Sequence, residues 1–162
     1  DDGLGTAVAL HEFYRNSDIY VMANYAQTVN VIGCIKTTKT DAEFESTGLV
    51  LKLYRERYGV TPVAVSNVPK PLDMAAALTA NQRALTFSVV NPTSEKQDLT
   101  LALDGAAFGN RAQQWVITGP ERRSYNTPGE PRAIDITTSP VPASGKLSVP
   151  PLSITLVSYD LK

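Results

Sequence analysis

Side chains able to do acid–base, nucleophilic or metal chemistry are few in this chain, and they lie far apart. There is one histidine, His11, and one cysteine, Cys34. Without a second imidazole a histidine-rich metal site cannot be built from this chain alone. His11 and Glu12 fall inside a stretch of helical periodicity, where a lone histidine reads as a packed structural group. Cys34 has no histidine near it in sequence and reads as a small packing residue beside a polar turn. Asp41, Glu43 and Glu45 open a second helical stretch, where negative charge complements the positive end of the helix dipole. Trp115 sits on a short β-prone run and reads as core. Arg111, Arg122, Arg123 and Arg132 fall on loops and read as solvated. No glycine-rich phosphate loop and no nucleophile motif is present.

Two carboxamides stand apart from this background, Gln27 and Asn30. They follow the nearly continuous apolar run Ile-Tyr-Val-Met-Ala-Asn-Tyr that begins at Ile19. Such a run is the pattern of a strand buried on both faces, as in a parallel sheet covered by helices. The run turns polar at Gln27, Thr28 and Asn30, where the strand would end. In α/β folds ligands bind at the carboxyl ends of strands. A carboxamide offers both donor and acceptor, the combination that suits a sugar hydroxyl. Gln27 and Asn30 are therefore the candidate ligand-binding residues.

The elements that must position them follow from the patterning. Leu4, Ala7, Val8, Leu10, Phe13 and Tyr14 predict a helix over 4–15, broken by Asn16-Ser17-Asp18. The buried strand runs over 19–25, and a Thr- and Lys-rich loop over 33–40. Thr40 and Glu43 match a capping box, which predicts a second helix over 41–58, ended by Gly59 and Pro62. The reading for residues 1–59 is thus helix, strand, helix. A parallel strand buried in a sheet needs ladder partners on both sides. No other stretch reads as such a strand, so its neighbours are expected on another polypeptide or on a part of the protein outside this chain.

From Val60 the texture changes to short β-prone runs punctuated by proline and glycine. Strands are predicted over 61–68, 74–78, 84–91, 98–103, 114–117, 133–137, 146–149 and 153–160. Leu85, Phe87 and Val89 alternate with polar positions, as do Leu99, Leu101 and Leu103, the mark of strands with one buried face. Asn91-Pro92-Thr93-Ser94 reads as a turn and residues 119–131 as a long loop. The expected architecture is α/β plus all-β, with the second part an antiparallel β-sandwich.

Composition bounds the function. The 162 residues carry a net charge of −1, which gives no basic field for nucleic acid or an anionic membrane. Hydrophobic content of 43% with 19% charged residues fits a folded globular chain. The apolar runs are too short to cross a bilayer as a helix. A single cysteine allows no internal disulfide, which fits a reducing compartment without excluding secretion.

The stretch Met22-Ala-Asn-Tyr-Ala-Gln-Thr-Val-Asn-Val-Ile32 resembles a signature of glycoside hydrolase family 51, the α-L-arabinofuranosidases. Ala9-Leu-His-Glu-Phe-Tyr-Arg-Asn-Ser-Asp18 and Thr47-Gly-Leu-Val-Leu-Lys-Leu-Tyr-Arg55 are similar to the same family. So are Tyr125-Asn-Thr-Pro-Gly-Glu-Pro-Arg-Ala-Ile134 and Pro150-Pro-Leu-Ser-Ile-Thr-Leu156, in its C-terminal domain. The resemblance implies that residues 1–59 are the last helix-strand-helix of a (β/α)8 barrel and that 60–162 are a jelly-roll-like β-sandwich domain. It implies a retaining glycosidase with two catalytic glutamates, both on earlier barrel strands. No position here matches either motif, and neither Glu12 nor Glu43 sits at the strand end, so this chain carries no catalytic residue and is expected to be inactive alone. By the same resemblance Gln27 contacts the bound furanose, and Asn30 belongs to its motif. Gly33 and Cys34 would help form the rim.

The implied activity is release of terminal arabinofuranosyl residues from arabinan or arabinoxylan, with no cofactor or metal. Other members of the family act on β-1,4-glucan or xylan. The implied partners are the rest of the barrel, an arabinose-containing saccharide and further copies in a homo-oligomer. The compartment stays open. The competing expectation, from a different class, is a non-catalytic β-sandwich module for carbohydrate binding or assembly.

Overall fold

The computed structural model describes residues 1–162. Two helices, α1 (Asp2–Arg15) and α2 (Ser46–Arg57), pack against each other and against one face of a six-stranded sheet. That sheet contains β3 (Thr61–Val63), β4 (Asp73–Leu78), β5 (Ala84–Asn91), β7 (Phe108–Thr118), β8 (Asp135–Pro140) and β10 (Ser153–Leu161) in the order β3-β4-β5-β10-β7-β8. Every neighbouring pair is antiparallel. On the other face lies a two-stranded ribbon of β6 (Gln97–Thr100) and β9 (Lys146–Val149), with Leu99 opposite Leu147. A small hairpin of β1 (Ile35–Thr37) and β2 (Ala42–Phe44) precedes α2. The whole is sandwich-like, with helices forming one outer layer.

Alternation along the central strands fills both faces. Leu85, Phe87 and Val89 of β5 and Val157 and Tyr159 of β10 point at the ribbon, where they join Met74, Leu147 and Val149. Val90 of β5, Ile154 and Leu156 of β10 and Trp115 and Ile117 of β7 point at the helices. There they meet Ala7 of α1 and Leu49, Val50, Leu53 and Tyr54 of α2. Each fully buried aliphatic side chain in these layers contributes about 1.5–3 kcal/mol of transfer free energy. Arg57 lies 5.3 Å above the Trp115 ring, so the tryptophan is covered, not presented.

All eight strands expected beyond Val60 form, and 84–91 and 146–149 have the expected bounds. The first third differs from expectation. Residues 19–25 form no strand: Ile19, Val21 and Met22 are 71%, 96% and 73% exposed. The reason is the one that made the run noteworthy: no strand of this chain lies beside it to accept a ladder. The helix expected from Asp41 begins at Ser46, because Ala42, Glu43 and Phe44 pair with Thr37, Lys36 and Ile35 instead. Thr40 and Glu43 do not cap it. Thr40 donates to Asp41 at 2.6 Å, and the helix is capped by Glu45, whose carboxylate accepts from Ser46 N–H at 3.2 Å. Arg111, Arg122 and Arg132 are exposed, as expected, and pair at the surface with Asp160, Asp1 and Glu43, but Arg111 lies on β7 and not on a loop.

The turn after β5 is built by Asn91. Its Oδ1 accepts from Thr93 N–H at 3.0 Å, and its Nδ2 donates to the carbonyls of Glu95 and Pro150, both at 2.8 Å. An asparagine that bonds its own backbone two residues on is a local turn device. Here it also ties the turn to the approach to β10.

Candidate functional site

Gln27 and Asn30 sit on a compact loop over 26–34 that joins the exposed run to β1. Its backbone is tied to the strand that follows. Cys34 N–H donates to the Gln27 carbonyl at 3.3 Å, Ile35 N–H to the Thr28 carbonyl at 3.0 Å, and Asn30 N–H to the Ile35 carbonyl at 2.7 Å. The Ala26–Gln27 peptide is cis. Asn30 and Val31 have positive φ, 56° and 45°. Asparagine tolerates that region and valine does not, so the bonds around Val31 must hold it there. Lys36 Nζ supplies one, donating to the Val31 carbonyl at 2.6 Å.

The two carboxamides differ in what they do. Asn30 spends its side chain within the loop. Its Oδ1 accepts from Thr37 N–H at 2.8 Å and its Nδ2 donates to Thr37 Oγ1 at 2.9 Å. It is therefore a latch that closes residues 30–37, and its hydrogen-bonding capacity is largely used up. Gln27 is exposed, and its side-chain amide is free to bond outward. The sequence pattern singles out both residues without distinguishing these roles.

Cys34 is buried, 9% exposed, and its N–H holds the Gln27 carbonyl. Its carbonyl accepts from Glu45 N–H at 2.9 Å, and its thiol donates to the Thr28 carbonyl at 3.5 Å. Helix α2 approaches so closely that a Cβ on Gly48 would lie 2.4 Å from the Cys34 carbonyl oxygen. Glycine at 48 is thus what lets the loop rest on the first turn of α2. The junction is braced from the far side by Asn126. This buried side chain donates to the carbonyls of Phe44 and Ile134 at 3.0 and 2.8 Å, and accepts from the N–H groups of Ala133 and Ile134 at 3.0 and 2.9 Å. Its own N–H donates to Glu45 Oε1 at 3.3 Å. Asn126 gave no sequence signal, because its partners are other chain segments' backbone groups.

The remaining acidic residues near the loop are engaged elsewhere. Glu43 bonds the Arg132 guanidinium at 2.8 Å, which holds its carboxyl below the usual range. Glu12 pairs with Arg15 at 2.6 Å. Neither faces Gln27 as a free carboxylate. His11 lies in the core between α1, α2 and the sheet, and its ring is fully buried. The loop can therefore bind and orient a polar group through Gln27, and it carries no acid–base pair of its own.

A family profile described as the α-L-arabinofuranosidase C-terminal domain matches residues 1–153. Among solved structures, the arabinose complex of an α-L-arabinofuranosidase from Thermotoga maritima is 22% identical with a TM-score of 0.84, covering 98% of this chain and 38% of that one. A thermostable enzyme of glycoside hydrolase family 51 from Thermotoga petrophila is 23% identical with a TM-score of 0.82, covering 97% and 37%. The family 51 arabinofuranosidase of Xanthomonas axonopodis pv. citri is 19% identical with a TM-score of 0.80, covering 98% and 35%. A search of curated proteins finds no match. The chain thus spans well under half the length of the structures it resembles, and they share its fold. With the profile matched over nearly all of its length, this chain belongs to the α-L-arabinofuranosidase C-terminal domain family.

Proposed function

We propose that this chain is the C-terminal part of a retaining α-L-arabinofuranosidase that releases terminal arabinofuranosyl residues from arabinan or arabinoxylan. The observation that carries the reading is the family match over residues 1–153 together with the free, outward carboxamide of Gln27 at the end of an uncovered apolar run. On this reading residues 1–59 are the last helix-strand-helix of a (β/α)8 barrel, and 60–162 are the C-terminal sandwich domain. The strand over 19–25 forms when the preceding barrel strands lie beside it. The two catalytic glutamates lie outside this chain, and the chain alone is inactive. Gln27 hydrogen-bonds the furanose and Asn30 holds the loop that presents it. The full-length protein assembles as a homo-oligomer.

Gln27 acts by orientation, through hydrogen bonds that persist into the transition state. In the full-length protein Gln27→Ala is expected to lower kcat/KM on an aryl arabinofuranoside about tenfold to a thousandfold, the effect of one or two hydrogen bonds in a desolvated site. A value near wild type would remove Gln27 from the site. A wild-type protein without arabinofuranosidase activity, but with activity on β-1,4-glucan or xylan, would reassign the substrate. Stable monomeric folding of residues 1–162, with saccharide binding and no hydrolysis by the full-length protein, would favour a non-catalytic module.

A further inference from the structure

A chain of buried polar groups crosses the seam between the helical layer and the sheet. His11 of α1 bonds Asp73 of β4 through Nδ1 and Tyr54 of α2 through Nε2, the latter at 2.6 Å. Tyr54 bonds Ser88 of β5 at 2.6 Å. Arg15 of α1 closes the outer end with two bonds of 2.7 Å to the Asp73 carboxylate. His11 and Ser88 are fully buried and Tyr54 is 3% exposed. Four elements meet in five side chains, and the surrounding contacts in this layer are apolar.

The direction of the bonds follows from what each group can donate. An ionised carboxylate only accepts, so His11 Nδ1 carries the hydrogen toward Asp73. Nε2 of the neutral ring is then an acceptor and takes the Tyr54 hydroxyl hydrogen. The Tyr54 oxygen in turn takes the hydrogen of Ser88. Every member is satisfied in this one direction. If His11 gains a proton, Nε2 becomes a donor and the chain must reverse. Tyr54 then donates to Ser88, and Ser88 has no other hydrogen-bond partner to receive its own hydrogen. A buried donor would be stranded at the end of the relay.

We propose that His11 is a proton-operated latch, which in mild acid releases the helical layer, with the Gln27 loop it supports, from the sheet. Burial holds the His11 imidazole below its ordinary value of 6.5, against the pull of Asp73. A basic group with a lowered folded-state value takes its proton first in the unfolded or undocked state. Docking is therefore at full strength above about pH 6.5 and weakens as pH falls toward the folded-state value. The groups facing the ring from each packed element are Arg15, with Glu12 behind it, on α1; Asp73 on β4; Tyr54 on α2; and Ser88 on β5. Tyr58 packs against Tyr54 and Tyr14 against Tyr58, and β10 adds Ile154 and Leu156. Burial pushes the three tyrosines up, so they stay neutral over this range. The Asp73 carboxyl lies below its ordinary value, held down by His11 and Arg15 against the effect of burial, so it stays ionised until lower pH.

The test is hydrogen exchange by mass spectrometry on the full-length protein, following peptides from α1 and α2 against peptides from β5 and β10. Rates are corrected for the intrinsic pH dependence of exchange. Between pH 7.5 and 5.0 the wild-type helical peptides should open about threefold to thirtyfold more, relative to the sheet, since one proton can contribute at most tenfold per pH unit below 6.5. Ser88→Ala only moves the stranded donor to the Tyr54 hydroxyl, so the pH response should persist in that variant. His11→Gln, which gains no proton in this range, should abolish the pH response, and if that variant does not fold, Tyr54→Phe, which takes away the only partner of Nε2, should enlarge it. A wild-type ratio that does not change with pH, a pH response that persists in His11→Gln, or one that Tyr54→Phe weakens, overturns the proposal.

Discussion

Asn30 and Asn126 each spend a side-chain amide within the protein, Asn30 on the N–H and hydroxyl of Thr37 and Asn126 on four backbone groups. For Asn126 the two bonds to Ile134 are buried and those to Phe44 and Ala133 half-buried, and the loss of its side chain takes this partner from two carbonyls and two N–H groups. Asn126→Ala should therefore cost about 2–4 kcal/mol, read as a lowered urea midpoint. An unshifted midpoint would show that solvent reaches the site. Asn30→Ala leaves exposed groups that water can serve, so its cost should stay within about 1–2 kcal/mol, mostly from the positive φ that alanine dislikes. Its effect should show as faster proteolysis between residues 27 and 37. The two residues also mark how far sequence reading reaches. Asn30 is visible because it interrupts an apolar run within a few residues. Asn126 and Asp73 are invisible because their partners lie up to 82 and 62 positions away, where no local pattern records them.

Elements were legible wherever the chain could satisfy them by itself. Strands β5 and β9 appear at their expected bounds, since period-two alternation and flanking turns are local and their ladder partners lie within the chain. The start of α2 was not legible. Thr40 and Glu43 have the spacing of a cap, yet pairing of residues 42–44 with β1 outweighs it. The strand over 19–25 fails for the complementary reason, having the right residues and no neighbour. At this scale the close approach of α2 to Cys34 makes a paired prediction. Gly48→Ala would place a methyl 2.4 Å from a backbone oxygen, whereas a Cβ at Gly5, on the same helical layer, meets nothing within 4 Å. Gly48→Ala should destabilise by about 1–3 kcal/mol through forced displacement. Gly5→Ala, inside a helix, should stabilise by about 0.5–1 kcal/mol. Thermal midpoints that move in the same direction for both would contradict the packing at Gly48.

At the scale of the molecule, the two halves of the chain are bound to one sheet, yet the surface they leave is uneven. Ile19, Val21, Met22, Val31 and Ile32 together present an apolar strip, from 66% to 96% exposed. A strip of that kind marks an interaction surface or an aggregation hazard. Residues 1–162 on their own should self-associate as concentration rises, and Val21→Lys with Met22→Lys should suppress this in light scattering. If the strip is covered in the full-length protein, as the proposed barrel reading requires, the same double substitution should lower stability there. Suppression without any cost in the longer protein would mean that nothing covers these residues.

The position of β10 has a consequence for how the molecule is made. The last strand of the chain is not at an edge; it lies between β5 and β7, in register with both over most of its length. Until it is inserted, β5 and β7 each lack one ladder, and Ile154, Leu156, Val157 and Tyr159 are missing from the two cores. During synthesis the central sheet must therefore wait for residues 153–161 to leave the ribosome. The β3-β4-β5 and β7-β8 pieces made earlier, and the helices that rest on them, are joined into one sheet only when β10 arrives.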